Sequence, residues 1–560
     1  MHSTTATSCK RTIRSMRFRY LSGLILVIVA GTIRTRDLLR SYYYAASAPA
    51  WIDAGPTTTA NQHRPSLAEI EALQKARLPI EEWQYPEIDV VYTWVNGSDP
   101  IWLETKETRH RDFILSLTGE TELTKKATKR ERGANGENRF RDHEELKFSL
   151  RSVERHAPWV RNIHIVVADG QVPNWLNTSN PKIRVVPHSA IFQNPQNLPT
   201  FNANAIESQL HNIPHLADYF LYLNDDAFLG SATDPSDFFV SPKSGQQKMF
   251  DDGKPTRPMC SEAADCSYDM LQDGHCDESC NVPECNWDYG DCGGMERVQQ
   301  LKAELQSQLL SNNQTFKPGR GSFGFFIQYV DGVFNRGLKL RRQPRNVISH
   351  MPYLISTKMM KDMVQRFEIE FNVTASHSFR HEQDMQLSNS YYYYLSGVQV
   401  YAPTVQQAWG AAVDTIDDPN TIFLYHHVPQ DWDPMEYARY QAIVACPEYA
   451  RVQACTAQLL AKASVDVATC VADMQTLVEE RQLRLPFDDD VPGNRSLIDF
   501  QMIGDDEDEA VDQLQQTTTT KKKFVTINDN MKHYSAKTEE ALTAMYLSFF
   551  PTPSTFENKQ

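Results

Sequence analysis

Six of the ten cysteines, Cys260, Cys266, Cys276, Cys280, Cys285 and Cys292, crowd into one short stretch that holds nine acidic side chains and no Lys or Arg. So small a module cannot bury enough apolar surface to fold by itself, and cross-links or a bound ion must supply its stability. Zinc knuckles favour paired C-x-x-C ligands, and none occurs here, so disulfides formed in an oxidising compartment are the expected cross-links. A second acidic block, residues 488–512, holds ten acids against Arg495 alone. Each block carries -9 of the formal net charge of -15, which leaves +3 for the rest of the chain. The acidity therefore belongs to two segments on a nearly neutral body, and that body lacks the basic face of a nucleic-acid binder.

The 560 residues suggest more than one domain, and a hydrophobic share of 41% excludes a disordered chain. Residues 20–33 form an uncharged apolar run, shorter than the ~20 residues of a comfortable membrane helix, between Arg17 and Arg19 on one side and Arg34 and Arg36 on the other. A cleaved signal peptide wants a small-residue site directly after its apolar core. The nearest such site, Ala46-Ser47-Ala48, lies beyond three arginines. An uncleaved signal anchor, with residues 1–19 cytosolic and the rest lumenal, is the preferred reading. Its shortness suits a thin early-secretory membrane. Sequons at Asn177, Asn313, Asn372 and Asn494 agree with a lumenal face. Cys446, Cys455 and Cys470 leave an odd thiol whose pairing spacing alone does not assign.

Residues 34–86 show little periodicity and read as a stem. Ile88-Asp-Val-Val-Tyr-Thr-Trp94 is a β-prone run that ends on the Asn96-Gly97 turn. Leu146, Leu150 and Val153 recur at i, i+4, i+7 and mark a helix burying one face. Residues 163–167 and 183–186 read as further strands, and the apolar strand 219–223 runs straight into Asn224-Asp225-Asp226. Strands alternating with helices predict a layered α/β domain. Adjacent carboxylates at the end of a buried strand stand where such folds place ligands, although Asn and Asp also simply make turns. In Ser349-His350-Met351-Pro352 the histidine is explicable as a satisfied surface or core residue, Arg380-His381-Glu382-Gln383-Asp384 is explicable as a solvated helix face, and residues 524–530 repeat the pattern of an apolar strand running into Asn-Asp.

In this order the motifs resemble a known family. IDVVYTWVNGSDP, then RFRDHEELKFSLRSVERHAPWVRNIHIVVADGQVPNWLN with YLNDD, then SHMPYLI with RHEQDMQLSNSYYYYL, and finally FVTINDN are similar to the four conserved regions of the Stealth family of sugar-phosphate transferases. The cysteine spacing, ending in Asn286-Trp287-Asp288-Tyr289-Gly290-Asp291-Cys292, resembles a Lin-12/Notch repeat. That likeness implies the bridges Cys260–Cys285, Cys266–Cys280 and Cys276–Cys292, and calcium held by Asp269, Asp273, Asp288 and Asp291. Against animal members, this chain has one such repeat where two are expected. Only the loop 119–138 follows the first motif, and there is no EF-hand loop ahead of the fourth.

The resemblance implies a Rossmann-like or GT-A-like α/β core split by the Notch-type repeat and carried on the signal anchor. The core's first part is 87–250, the repeat 255–294 and the core's second part 320–434. A helical segment with an acidic linker covers 435–523, and the fourth region 524–560. The implied reaction moves N-acetylglucosamine-1-phosphate from its uridine diphosphate donor to a hydroxyl of a mannose-type glycan and releases UMP. Asp225 and Asp226 would hold Mg2+ or Mn2+, Arg380 would neutralise developing charge with Arg345 in support, and His350 or Asp529 would be the base. Trp94, Asn96 and Asp99 would line the nucleotide pocket. The expected location is the Golgi membrane, as a single-pass type II protein with a lumenal catalytic domain, and a homodimer is compatible with this picture. Two rivals stand beside it: a metal-dependent glycosyltransferase releasing UDP, which shares the strand running into Asp225-Asp226, and a non-catalytic, calcium-dependent lumenal recognition protein built around the Notch-type repeat.

Overall fold

The computed structural model describes residues 85–118, 137–240, 245–255, 322–338, 345–381, 383–414, 434–460, 465–487, 492–533 and 535–558, with scattered positions between 266 and 300. The proposed anchor, most of the stem and Asn313 lie outside the described residues. Among the described residues, no helix is long and apolar enough to cross a membrane.

Two compact units emerge. The larger comprises Gln84–Thr404 and Leu485–Gln560, and the other includes Val405–Arg484. Of the expected second part of the core, 320–434, the helix Val405–Asp414 groups with the other unit. The strands of the larger unit are β1 (Ile88–Trp94), β2 (Ile163–Val167), β3 (Ile183–Pro187), β4 (Tyr219–Asn224), β5 (Ala227–Leu229), β6 (Asp251–Pro255), β7 (Asn346–Ile348), β8 (Tyr353–Ser356), β9 (Val400–Tyr401), β10 (Leu485–Pro486), β11 (Ile498–Ile503) and β12 (Phe524–Asp529).

The main sheet has the order β3-β2-β1-β4-β8. Its first four strands are parallel, and β8 pairs antiparallel to β4 at the edge. Every residue of β2 is buried, as strands covered on both faces require. The expectation of a layered α/β core is met. A smaller sheet, β11-β12-β5, sets β11 parallel and β5 antiparallel to β12.

The helix Glu145–His156 ties the two sheets together because it carries two apolar faces. Leu146, Leu150 and Val153, the predicted stripe, pack with β1, β2 and β4, while Phe148 joins Phe228, Val525 and Ile527 on the small sheet. The four consecutive tyrosines Tyr391–Tyr394 are buried, as a core reading of them requires. Near the carboxy terminus Glu557 receives a bidentate pair from Arg151, at 2.8 and 2.7 Å.

The acidic segment 488–512 differs from the expected linker. Its described part forms β11 and leads into the helix Glu507–Thr520. Asp506 caps that helix by accepting from the amides of Asp508 (3.2 Å) and Glu509 (3.1 Å). Glu507, Asp508 and Glu509 fill its first turn, where negative charge meets the positive end of the helix dipole. The acids at 506–509 are therefore an N-terminal helix signature.

In the repeat, Cys266–Cys280 and Cys276–Cys292 are bonded as the resemblance implies. Cys260, Cys285, Asp269 and Asp273 lie outside the described residues. Asp288 is buried and its Oδ2 accepts from the Asp277 amide at 2.9 Å, so this carboxylate organises the turn around it. In the smaller unit, Cys455–Cys470 joins the helices Pro447–Leu460 and Val467–Gln475, which answers the question the three cysteines left open. Cys446 is also disulfide-bonded.

Asp89, at the start of β1, is fully buried and fully bonded. Arg161 donates to both its oxygens at 2.9 and 2.7 Å, His164 stands at 3.1 Å, and the amides of Asn162 and Ala217 donate at 3.0 and 2.9 Å. Burial raises the proton affinity of this carboxyl, but the guanidinium of Arg161, the imidazole of His164 and the Ala217 amide overcome that and hold it well below the usual range. Asp89→Ala leaves the Arg161 guanidinium, the His164 ring and the Ala217 amide without their shared acceptor and is expected to cost about 1–3 kcal/mol in denaturant titrations. Because the folded value is depressed, the contribution is complete above the unfolded value of about 3.9 and is lost as the pH falls below it. A variant with an unchanged acid-unfolding midpoint would refute this account.

Candidate active site

A pocket opens at the carboxyl ends of β1 and β4, the central pair of the main sheet. The chain reverses direction across the sheet here, since β2 lies on one side of β1 and β4 on the other, and open α/β sheets bind ligands at such a switch point. Thr93 and Trp94 come from β1, Trp102 from the helix Pro100–Thr118, and Asn224, Asp225 and Asp226 from the end of β4. The 3-10 turn Glu137–Phe140 and the residues after it supply Asn138, Arg139, Phe140, Arg141 and Glu145. Thr200, Phe201 and Glu207 form another wall, and Arg380, Asn528 and Asp529 complete it.

The structure thus brings Trp94, Asp225, Asp226, Arg380 and Asp529 together and leaves the other expected residues out of the lining. Asn96 shapes the turn after β1, its Oδ1 accepting from the Ser98 amide at 3.1 Å. Asp99 caps the following helix by accepting from the amides of Ile101 (2.9 Å) and Trp102 (3.0 Å). Arg345 is paired with Asp331 and stacked on Tyr393, 5.1 Å from the ring centroid. His350 stands behind Asn224, with Nε2 at 3.1 Å from the Asn224 amide nitrogen. Burial, then the positive charges of Arg139 and Arg380, push His350 down to about 4, so its ring is neutral at neutral pH.

Five acids, Glu145, Glu207, Asp225, Asp226 and Asp529, face three arginines, Arg139, Arg141 and Arg380. Burial, then Asp142, raises the proton affinity of Asp225, while burial, then Asp225, raises that of Asp226. Glu145 is pushed well above its ordinary value by burial and by the same two aspartates. One oxygen of Asp226, Oδ1, is inaccessible and has no hydrogen-bond partner among the described residues. An unpaired carboxylate oxygen among like charges is costly, and a cation removes both penalties. Among the described residues no three acids, histidines or cysteines are grouped to hold an ion unaided. Mg2+ takes one or two carboxylates and completes its shell with water and substrate phosphates. The residues present therefore fit a divalent ion on Asp225 and Asp226.

Asp529 is differently placed. Arg141 Nη1 donates to its Oδ2 at 2.7 Å, His143 Nε2 lies 3.2 Å from the same oxygen, and the Met531 amide donates to Oδ1 at 2.8 Å. The other ring nitrogen of His143 bonds Glu539. Burial works against a charge on His143, but Asp529 and Glu539 outweigh it and raise the imidazole's affinity for its proton. Arg139, Arg141, His143, Glu145 and Glu207 were given no roles from sequence. The one available signal is the string Arg139-Phe-Arg141-Asp-His143 directly before an amphipathic helix, because a charged run that leads into a buried helix cannot all face solvent.

Comparison with known proteins maps onto this pocket. The chain matches Stealth protein conserved region 1 at residues 86–113, region 2 at 139–248, region 3 at 349–396 and region 4 at 515–560. Residues 257–293 match the LNR domain of Notch. The mouse protein named N-acetylglucosamine-1-phosphotransferase subunits alpha/beta is 49% identical over 156 residues, 28% of this chain and 12% of that protein. An exopolysaccharide phosphotransferase of Streptomyces coelicolor is 48% identical over 160 residues, 28% of this chain and 24% of its own. A capsular polysaccharide phosphotransferase of Aeromonas hydrophila is 42% identical over 178 residues, 32% of this chain and 45% of its own. The alignments span less than half the length of each of these relatives.

Proposed function

For a chain that carries Stealth conserved regions 1 to 4 in order, we propose sugar-phosphate transfer, with N-acetylglucosamine-1-phosphate passing from its uridine diphosphate donor to a hydroxyl of a mannose-type glycan. One observation supports this above the rest: all four regions contribute to a single pocket, through Trp94 and Trp102, Arg139 to Asp226, Arg380, and Asn528 with Asp529. The named relatives are phosphotransferases acting in sugar chemistry, which agrees with the donor and acceptor classes proposed.

In this reaction the acceptor oxygen bonds to the sugar-bearing phosphorus, the pyrophosphate P–O bond breaks, and UMP departs with the bridging oxygen. Such transfer needs little covalent help from the protein and much positioning and charge neutralisation. Arg139 and Arg380 face the phosphoryl oxygens. Asp529, fixed by Arg141 and His143, takes the acceptor's proton. Asp225 and Asp226 would hold a divalent ion, which when bound supplies positive charge to the diphosphate.

The test is the leaving group. With donor labelled in its uridine, the wild-type protein is expected to release UMP in step with phosphodiester formation, and a chelator is expected to lower the rate by at least about a hundredfold. Release of UDP would transfer the site to ordinary glycosyl transfer and defeat this reading.

A further inference from the structure

The strand β11 forms one edge of the small sheet β11-β12-β5, and its two faces meet different surroundings. Ile498 packs with Phe524 on the main core, while Ile503 joins Val525 and Ile527 on the opposite side. On that opposite side Asp499 Oδ2 also accepts from the Thr517 hydroxyl at 2.9 Å. Side chains alternate along a strand, so Phe500 and Met502 share the face of Ile498. Their register partners on β12 are Thr526 and Asn528, which stand on the same face. Thr526 Oγ1 donates to the His350 carbonyl at 3.2 Å, and Arg139 Nη1 donates to Asn528 Oδ1 at 3.4 Å within the pocket lining. The face of this sheet that reaches the pocket therefore runs outward from Asn528, the neighbour of Asp529, onto Met502 and Phe500.

Two large apolar side chains stand open there. Phe500 is 40% exposed and Met502 49%, and adjoining apolar groups left open to water mark binding surfaces. The Phe500 ring lies 5.3 Å from the His350 ring between centroids, and His350 in turn meets Asn224 of the pocket at 3.1 Å, so the exposed ring is positioned by groups around the site. Location decides what would cover it. In the transfer proposed above, the acceptor's hydroxyl must reach Asp529, and a sugar ring attached to the reacting one must leave the pocket over an adjoining wall. The wall that carries Asn528 and Asp529 continues into Met502 and Phe500. A pyranose lays a C–H face on an aromatic ring and a thioether while its hydroxyls stay in water, which matches a shelf that is apolar yet open to solvent.

We propose that Phe500 and Met502 form an outer acceptor subsite, on which the glycan ring next to the reacting one rests while the reacting hydroxyl lies at Asp529. This rests on the transferase reading above and goes beyond it, because it makes the protein selective for an acceptor chain over a single sugar.

The test supplies purified wild-type, Met502→Ala and Phe500→Ala proteins with the same uridine diphosphate donor and compares mannopentaose with methyl α-mannoside as acceptors. The wild type is expected to use mannopentaose with the higher kcat/KM. Each variant is expected to lower the ratio of kcat/KM for mannopentaose to that for methyl α-mannoside by about tenfold, the effect of withdrawing one half-exposed apolar side chain from a ring. The loss should appear in the KM of mannopentaose and not in that of the donor. Calorimetric titration with mannopentaose reads the shelf without turnover, and the same weakening of about tenfold is expected. Met502→Ala truncates a half-exposed side chain, so it serves if Phe500→Ala disturbs the His350 ring beside it. A ratio and an affinity within about twofold of wild type in both variants would overturn the proposal, as would equal losses with both acceptors, which would make the pair structural. Sedimentation of the same samples tests the rival occupant: a wild-type dimer that Met502→Ala splits into monomers, with the ratio unchanged, would assign the shelf to a second copy of the chain and also overturn the proposal. A wild-type protein that releases no UMP from any uridine diphosphate sugar is a separate failure, and it defeats the transferase reading itself.

Discussion

Arg380→Ala is expected to lower kcat by about 10³–10⁵-fold, the effect of removing an arginine that neutralises a phosphoryl group in transit. Arg380 lines the pocket, and among the described residues it has no carboxylate within ion-pairing distance, in contrast to Arg141 and Arg161. Its charge is nevertheless felt by its neighbours. It lowers the proton affinity of Arg139, His350 and Glu207, so its charge reaches across the pocket. A phosphoryl group, whose charge spreads over its oxygens in the transition state, is the anion such a guanidinium stabilises. Arg380→Lys is expected to recover only part of the rate, because an ammonium lacks the planar fork. A change in kcat of less than tenfold for Arg380→Ala, with the thermal midpoint unmoved, would remove this residue from the chemistry.

The parts of the site that were legible in the sequence share a physical form. Both β1 and β4 are apolar runs that stop at polar turn residues, so their ends, with Trp94 and Asp225-Asp226, were visible as places where backbone meets ligand. Arg380 and Asp529 became visible through the order of the motifs. Residues whose role depends on which neighbour buries them were not legible. Arg139, Arg141, His143 and Glu145 lie in a charged string that reads as solvent-facing until Asp529 and Glu539, nearly four hundred residues later, close over it. Glu207 sits among polar residues with no periodic signal, and its burial comes from Tyr222 and the chain around Arg380. Asn96 and Asp99 show the converse, since both lie outside the pocket lining. Turn-forming and capping chemistry uses the same side chains as ligand binding, and here the backbone amides of Ser98, Ile101 and Trp102 hold them. The acidic block misled for a similar reason, because acids gathered at a helix N-terminus look like solubilising charge when the helix partner is unknown.

Asp529→Asn is expected to reduce kcat by about 10²–10⁴-fold, the usual worth of a positioned general base. Two candidates existed for this role, and their surroundings separate them. Asp529 lines the pocket, and its Oδ2 is oriented from behind by Arg141 and His143. His350 lies outside the lining, its Nε2 is engaged by Asn224, and a ring pushed down to about 4 has little appetite for a proton. A base must first be within reach of the hydroxyl it deprotonates, and only then does its basicity matter. Reach is what favours Asp529 as the proposed acceptor of that proton. His143 then shapes the pH profile. Its proton affinity is raised, so it stays an imidazolium above the ordinary value of about 6.5 and loses its charge only as the pH rises further. Rates should therefore fall on the alkaline side as one of the two groups orienting Asp529 becomes neutral, and His143→Gln should abolish that limb of the profile. If Asp529→Asn stays within tenfold of wild type while His350→Gln is inactive, the base is His350 and the pocket wall formed by the fourth region has a binding role instead.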